Sequence, residues 1–484
     1  MDPLDLVSKL SPEFRALEEA ALKCISPDDA KYRKASQKLE HCLSASAEWR
    51  VCALVQEKLI ETRVEFGQAD RIYLEEVSQA VKKIIPLNIA YLEDAIRHDQ
   101  LALIEELGRF ISPEAKALLH PGTTSYDILD TARALMYKQA WEEVLRPTVA
   151  KSVTKLCDIA EKSKDWLQVG RTHLQDTSPV TFGLTMAIGA ARIANRFQEC
   201  DRYFGNLKGK CSGIVGTGAG IEMVIGQGKS LDFEKAVLEK FNLLPDYTAT
   251  QITQKERVAD VGHGLTTMML VLKNFARNMR KMYASPIREV SSADSSTELG
   301  GSSTDAAKDN PIQWENIAGK GIVVESGMLI LYEMITSDFQ RDLEGSVQAR
   351  YEPAQMIVRT YESFSRLNKA LEKIQINVDA LNKNLQSVRD KPSEAMVTIL
   401  RGTGEVHPEY GGGHDFVKVM SQRAKTGQHP LIQIAREDPH FEKTYQRLSD
   451  VKKYILNGKL EHYIGSAVER ADINIRDAKL AIAA

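Results

Sequence analysis

Five stretches of this chain combine residue types and spacings that could do chemistry. In Gly300-Gly-Ser-Ser-Thr-Asp-Ala-Ala-Lys308-Asp-Asn310-Pro-Ile-Gln-Trp-Glu315, small residues surround a lysine and an asparagine. Small residues let a loop close over a ligand. Lysine and asparagine can hold a carboxylate, and a serine whose proton is made labile can act as a base. A surface loop has the same composition. In Gly170-Arg-Thr-His173-Leu-Gln175, the imidazole titrates near neutrality and suits a general acid, although a structural histidine fits equally. In His120-Pro-Gly-Thr-Thr124-Ser125-Tyr-Asp127, two hydroxyls can cap a helix or bind an anion at its start. Arg97-His98-Asp99 reads as an ion cluster, either at a site or on the surface. Gln340-Arg341-Asp-Leu-Glu-Gly-Ser346-Val-Gln-Ala-Arg350 places two arginines around a serine, as a phosphate or carboxylate would require and as a solvated helix face would also show.

Three further features read differently. Gly228-Lys229-Ser230 ends like a phosphate loop, but Met223 holds the earlier glycine position. Gly216-Thr-Gly218-Ala-Gly220 approaches a dinucleotide loop, but Ile221 sits where the last glycine belongs. His407 and His414 lie in a glycine-rich segment and form a candidate metal pair.

Helices must position these residues. Proline is absent between Pro179 and Pro245, so long helices run there without interruption. Val153, Leu156, Cys157 and Ala160 form one apolar stripe, and Leu265, Met268, Met269, Leu272, Ala276 and Met279 form another over four turns. Period-2 runs flanked by hairpin turns do not recur, which argues against a large sheet. The reading is an all-α chain with a bundle of long helices. His120-Pro-Gly122 breaks one helical region before a long helix starts near Thr124; a second break falls near 377–382, and Gly402 to Gly413 reads as loop. These divide the chain into an N-terminal helical domain (1–123), a central bundle with the chemistry-bearing loop (124–376) and a C-terminal helical domain (377–484).

The 484 residues exceed one ordinary core. With 63 basic and 66 acidic side chains the net charge is −3, which gives no bulk attraction to nucleic acid or membrane. No apolar run reaches the roughly 20 residues of a membrane span. The N-terminus lacks a secretory pattern, and the six cysteines are scattered with no C-x-x-C pair. A reducing, cytoplasmic setting is expected, with neither a zinc site nor a redox dithiol.

Together the motifs resemble the fumarase/aspartase superfamily, whose loop reads G-S-S-x-M-P-x-K-x-N-P with a glutamate seven residues after the lysine. Gly301, Ser302, Ser303, Lys308, Asn310, Pro311 and Glu315 occupy those places. The superfamily's G-R-T-H-x-Q and H-x-G-x-T-S-x-D motifs match Gly170 to Gln175 and His120 to Asp127. Within the superfamily the chain is most similar to the adenylosuccinate lyases, through Arg97-His98-Asp99, Gln251 and the R-x-x-x-x-S-x-x-x-R spacing of Arg341, Ser346 and Arg350. Three departures stand out. Asp305 and Ala306 replace Met-Pro inside the loop, Ser8 and Lys9 precede Ser11-Pro-Glu-Phe14 where the family has R-Y, and the C-terminal third matches weakly.

This resemblance implies a lyase that releases fumarate by β-elimination across a C–N bond. The expected substrate is adenylosuccinate, together with the related succinylated carboxamide ribotide of purine synthesis. By resemblance Ser302 is the base, His173 protonates the departing nitrogen, and Lys308 and Asn310 hold the doubly charged intermediate. Glu315 would orient or balance a histidine, with His173 the candidate. Thr124, Ser125 and Thr172 would bind the succinyl carboxylates; His98, His120 and Gln251 would contact the nucleotide or the succinyl part; Arg341, Ser346 and Arg350 would take the phosphate; and Arg97, Asp99 and Ser303 complete the substrate-binding set. That chemistry needs no metal or organic cofactor, and the family's sites are shared between subunits of a homotetramer. The alternatives are argininosuccinate lyase, a carboxymuconate cycloisomerase, or a non-catalytic descendant.

Overall fold

The computed structural model describes residues 23–293, 300–301, 304–305, 308–404 and 406–483. Ser8, Lys9, Ser302, Ser303 and Ala306 lie outside them. Helices dominate the described residues, and the strands form three two-stranded ladders, so the all-α expectation holds.

The chain divides into two compact units. The first comprises Met1–Val149, Arg196–Leu270 and Gly319–Arg366. Its core gathers around α1 (Ala45–Glu65), α2 (Asp99–Gly108) and α3 (Ser125–Gln139), with Leu59, Ile60, Leu103, Ile128 and Phe233 all buried. The helix expected near Thr124 is α3. It opens with a capping box in which the Thr124 N–H donates to Asp127 Oδ2 at 2.7 Å. A π-helical stretch, Ala140–Leu145, follows α3 and holds the buried Trp141, which stacks on Phe204 at 4.8 Å.

The second unit comprises Ala150–Asn195, Val271–Ala318 and Leu367–Ala484. α4 (Arg146–Lys162) enters it and buries Val153, Leu156, Cys157 and Ala160, the stripe read from sequence. β1 (Leu167–Thr172) and β2 (Gln175–Thr181) form an antiparallel hairpin, after which the chain continues as α5 (Phe182–Gly205). The second stripe is likewise buried along α6 (Glu256–Tyr283). β3 (Gly300–Gly301) pairs with β4 (Asp309–Asn310), and α7 (Ile312–Glu333) follows at once. The break expected near residue 377 falls where a short strand, Ile374–Ile376, gives way to a helix capped by Asn377, whose side chain accepts from the Ala380 N–H. A separate apolar cluster built on Met396, Phe416, Met420 and Phe441 holds the C-terminal helices.

Candidate active site

In the first unit, the loop before α3 is clamped from below. Buried Arg63 donates to the carbonyls of Leu118 (2.8 Å) and Pro121 (2.5 Å). His120 (φ 73°) and Gly122 (φ 77°) both sit in the left-handed region. A Cβ on Gly122 would lie 2.7 Å from the Gly220 carbonyl, so only glycine lets the two backbones approach so closely. The glycines at 213–220 therefore have a packing role. Gly213 and Gly220 lie against Gly122, Gly216 against Ala249 and Thr250, and Gly218 against Ser230, and Asp127 accepts from the N–H groups of Ser212 (3.0 Å) and Gly213. Buried Lys210 pairs with the same carboxylate.

This packing holds His120 with Nδ1 3.2 Å from the Gln56 amide nitrogen. Burial pushes the imidazole below its ordinary pKa of 6.5, so the ring is neutral near neutral pH. His98 is exposed and caps α2, its Nδ1 accepting from the Leu101 N–H at 3.3 Å, which leaves the proton of a neutral ring on Nε2. Arg97 is exposed and ends the preceding helix in a left-handed conformation, and Asp99 accepts from the Gln100 N–H. Thr124 and Ser125 stand at the α3 N-terminus, where backbone N–H groups favour an anion.

Gln251, Arg341 and Ser346 meet around one aromatic ring. The Arg341 guanidinium lies 4.0 Å over the ring of Tyr126. Its two terminal nitrogens donate to Gln251 Oε1 (3.0 Å) and Ser346 Oγ (3.1 Å), and each carries a second hydrogen suited to an anion. The Tyr126 hydroxyl is 2.5 Å from Ser346 Oγ. Beneath the ring, Lys255 pairs with Asp130 at 2.7 and 2.8 Å, burying both charges together. Arg350 is exposed four residues beyond Ser346 and acts electrostatically on Glu93. Tyr126 and Asp130 were missed in the sequence. Tyr126 stood inside the His120–Asp127 motif, but nothing local indicated that its ring would meet an arginine more than 200 positions away.

In the second unit, His173 and Leu174 are the two connecting residues of the β1–β2 hairpin, with φ of 53° and 61°. Two successive positive φ values suit a tight primed turn, which normally uses Asn-Gly. A histidine and a leucine there hold a strained conformation, and such strain gathers at functional sites. Thr172 ends β1 beside them, and all three are exposed. The hairpin is anchored through Glu289, whose side chain is 0% exposed. Arg171 donates to its two oxygens (2.7 and 3.1 Å), Gln168 to Oε2 (2.7 Å) and Asn384 to Oε1 (2.9 Å). Arg171 also reaches Asp176 across the hairpin at 3.2 Å. A cavity of about 640 Å³ opens beside β1, lined by Arg171, His173, Asn278 and Lys281 among others.

The loop expected to carry the base is pinned at both ends, because Gly300 pairs with Asn310 and Gly301 with Asp309. Ser302 and Ser303 lie between these positions, outside the described residues. Asp305 and Lys308 are exposed, and the Lys308 N–H donates to the Asp305 carbonyl at 3.1 Å. Glu315 stands in the first turn of α7, half exposed and 3.8 Å from Arg280. His407 spends both ring nitrogens locally, on Asp438 (3.2 Å) and on the N–H groups of Glu409 and Tyr410, whereas His414 is exposed beside Asp415. Among the described residues the two histidines do not form a metal cluster.

The sequence pattern of a lyase family matches residues 30–325. The adenylosuccinate lyase of Methanocaldococcus jannaschii is 28% identical over 440 residues, covering 88% of this chain and 90% of that protein. The adenylosuccinate lyase of Archaeoglobus fulgidus is 26% identical over 453 residues, covering 92% and 97%. Among solved structures, the 3-carboxy-cis,cis-muconate lactonizing enzyme of Pseudomonas putida superposes with a TM-score of 0.79 at 18% identity, over 92% of this chain and 97% of that one. A fumarate lyase from a Mesorhizobium species gives 0.77 at 22%, over 91% and 97%. At those identities the two structures establish the fold. The chain therefore belongs to this lyase family, within the fumarase/aspartase superfamily, and is a carbon–nitrogen lyase.

Proposed function

We propose that the chain cleaves adenylosuccinate to AMP and fumarate, and cleaves the related succinylated carboxamide ribotide in the same way. The observation that carries this reading is the meeting of Arg341, Ser346 and Gln251 on the ring of Tyr126. A guanidinium with outward N–H groups beside hydroxyls suits a phosphate. A phosphate is what a nucleotide substrate has and argininosuccinate or a carboxymuconate lacks. Arg350 would supply a second cation to it. Arg97, His98, Asp99 and His120 would contact the nucleoside and succinyl parts, with His120 neutral and able to donate from Nε2.

The elimination breaks a C–H and a C–N bond of the succinyl group and forms the fumarate double bond. Ser302, having released its own hydroxyl proton, takes the proton from the C–H bond next to a carboxylate. Its electron pair first enters that carboxylate as a doubly charged aci form, held by Lys308 and Asn310. The pair then forms the C=C bond as the C–N bond breaks, and His173 protonates the departing nitrogen. Thr124, Ser125, Thr172 and Ser303 bind the succinyl carboxylates. Glu315 tunes the cationic surroundings of the site. Its neighbour in the single chain is Arg280 at 3.8 Å, and the histidine it would orient or balance, His173 the candidate, is one of the other groups to be brought to it.

Those other groups would come from further copies of the chain. The reading includes a homotetramer in which each site combines residues of different subunits. Ile322, Val323, Leu329 and Tyr332 of α7 are exposed in the single chain, and such an apolar stripe on a long helix supports association. Among the described residues no helix is long and apolar enough to cross a membrane, in keeping with a cytoplasmic metabolic role. The test is a crystal of the Ser302→Ala protein soaked with adenylosuccinate. Phosphate density against Arg341 and Ser346 is expected; density at another surface, with that cluster unchanged, would overturn the reading.

A further inference from the structure

A second group of reactive side chains lies in the first unit, among residues that the lyase chemistry does not use. His41 and Cys42 are adjacent on a short helix, Glu40–Leu43, and Glu143 comes from the π-helical stretch 102 positions beyond His41. π-helical turns often mark functional positions. His41 Nε2 lies 3.1 Å from Glu143 Oε2 and 3.1 Å from Cys42 Sγ, and the three ligand atoms lie within 4.8 Å of one another.

Both contacts converge on the same ring nitrogen, whose one proton or lone pair serves one of them at a time. A cation between the three atoms would accept a lone pair from each at once. Two of the three spacings fit it: zinc–sulfur and zinc–nitrogen bonds of about 2.3 and 2.0 Å in a tetrahedron separate S from N by about 3.5 Å and N from O by about 3.3 Å, within a few tenths of the 3.1 Å found for each, while Sγ and Oε2 lie within 4.8 Å of each other. Glu143 is also held in place, since its Oε1 accepts from Gln139 Nε2 at 3.0 Å while Oε2 faces the histidine. Outer partners of this kind orient metal ligands.

We propose that His41, Cys42 and Glu143 form a binding site for one borderline transition-metal ion of the Zn²⁺ or Co²⁺ class. A thiolate, an imidazole and a carboxylate together select such ions over Mg²⁺ or Ca²⁺, which take oxygen ligands. On binding, the Cys42 thiol loses its proton to solvent and its sulfur donates an electron pair to the metal, with no change of oxidation state. His41 and Glu143 are half exposed, giving the ion a path in, while Cys42 is buried beneath them. The three protein ligands leave a fourth tetrahedral position for water or an additional ligand.

The experiment titrates Co²⁺ into the full chain carrying Cys24→Ser, which removes the one exposed cysteine. One equivalent of Co²⁺ should raise a thiolate-to-cobalt charge-transfer band, and Zn²⁺ should displace it. Cys42→Ser should abolish the band, and His41→Ala or Glu143→Gln should weaken Co²⁺ binding at least about 100-fold, beyond the roughly 10- to 100-fold loss typical for an outer-shell partner. A band that persists in Cys42→Ser, or the absence of any band in a parent protein folded by circular dichroism, overturns the proposal. Because Glu143→Gln keeps shape and exposure, unchanged Co²⁺ affinity in that variant alone would remove Glu143 from the ligand set and overturn the three-ligand site.

Discussion

Replacing Glu289 by glutamine tests how the hairpin that presents His173 is held. The carboxylate accepts four N–H donors, from Arg171 twice, Gln168 and Asn384, and so fills its acceptor capacity. Glutamine substitutes an NH₂ for one oxygen. Wherever that NH₂ points, it meets donors, and the Arg171 charge loses its buried partner. Removing one member of a buried pair costs about 3–5 kcal/mol. Arg171 is 18% exposed and keeps Asp176 at 3.2 Å, so the lower end, about 3 kcal/mol, is expected here. Urea denaturation should show that loss in the unfolding free energy. The kcat should fall as well, by up to roughly 100-fold, because a small displacement of a proton donor is enough for such a loss. Adding Arg171→Met should return part of the stability, since no unpaired charge is then buried, and should leave kcat low. An unfolding free energy within about 0.5 kcal/mol of wild type, the range of ordinary surface changes, would refute the assignment of Glu289 as the anchor of this hairpin.

Other outcomes follow from the same account. Ser302→Ala should lower kcat by about 10²–10⁴-fold with substrate binding retained, as removal of a general base does; near-normal kcat would assign the base elsewhere. Mixing inactive Ser302→Ala and His173→Gln proteins under conditions of subunit exchange should restore activity, and exchange without recovery would rule out shared sites. Asp305 is exposed, so Asp305→Met with Ala306→Pro should lower KM for adenylosuccinate modestly, by an energy of roughly 1 kcal/mol or less; loss of activity would mean that the loop is built around the acid. His120 has its pKa lowered chiefly by burial, so the unfolded chain binds a proton that the folded chain refuses. Its contribution to stability is then complete above its ordinary 6.5 and lost as pH falls below it, and His120→Gln should flatten that part of the stability–pH curve measured by urea denaturation.

The helices were legible because their signals are local. The stripes of α4 and α6 lie wholly within one helix each, and Thr124 with Asp127 announces a capping box within four residues. Arg341 and Ser346 were readable as an anion-binding stretch and Gln251 through the resemblance alone, but their meeting on Tyr126 depends on chain folding that no window reveals. Glu289 gave no signal at all: a single acid in an ordinary stretch acquires its role from Gln168, Arg171 and Asn384, which come from two distant segments. The hairpin was hidden for another reason. His173-Leu174 lacks the glycine or asparagine that marks a primed turn, so the strain that points to function also erased the local cue. The glycines at 216–220 were rightly set aside as a nucleotide loop because of Ile221, and what the sequence did not reveal is their close packing, Gly220 against Gly122, Gly216 against Ala249 and Gly218 against Ser230. His41 and Cys42 gave no cue because a cluster assembled over 102 positions has no spacing motif.

Fumarate release by the purified chain, followed by ultraviolet absorbance with adenylosuccinate, argininosuccinate and 3-carboxymuconate offered in parallel, decides which substrate the site takes. Equimolar fumarate and AMP are expected from adenylosuccinate, with turnover abolished by Ser302→Ala and KM raised by Arg341→Met. Fumarate from argininosuccinate alone, lactone from carboxymuconate, or no turnover of any of the three by a folded, associated protein would contradict it.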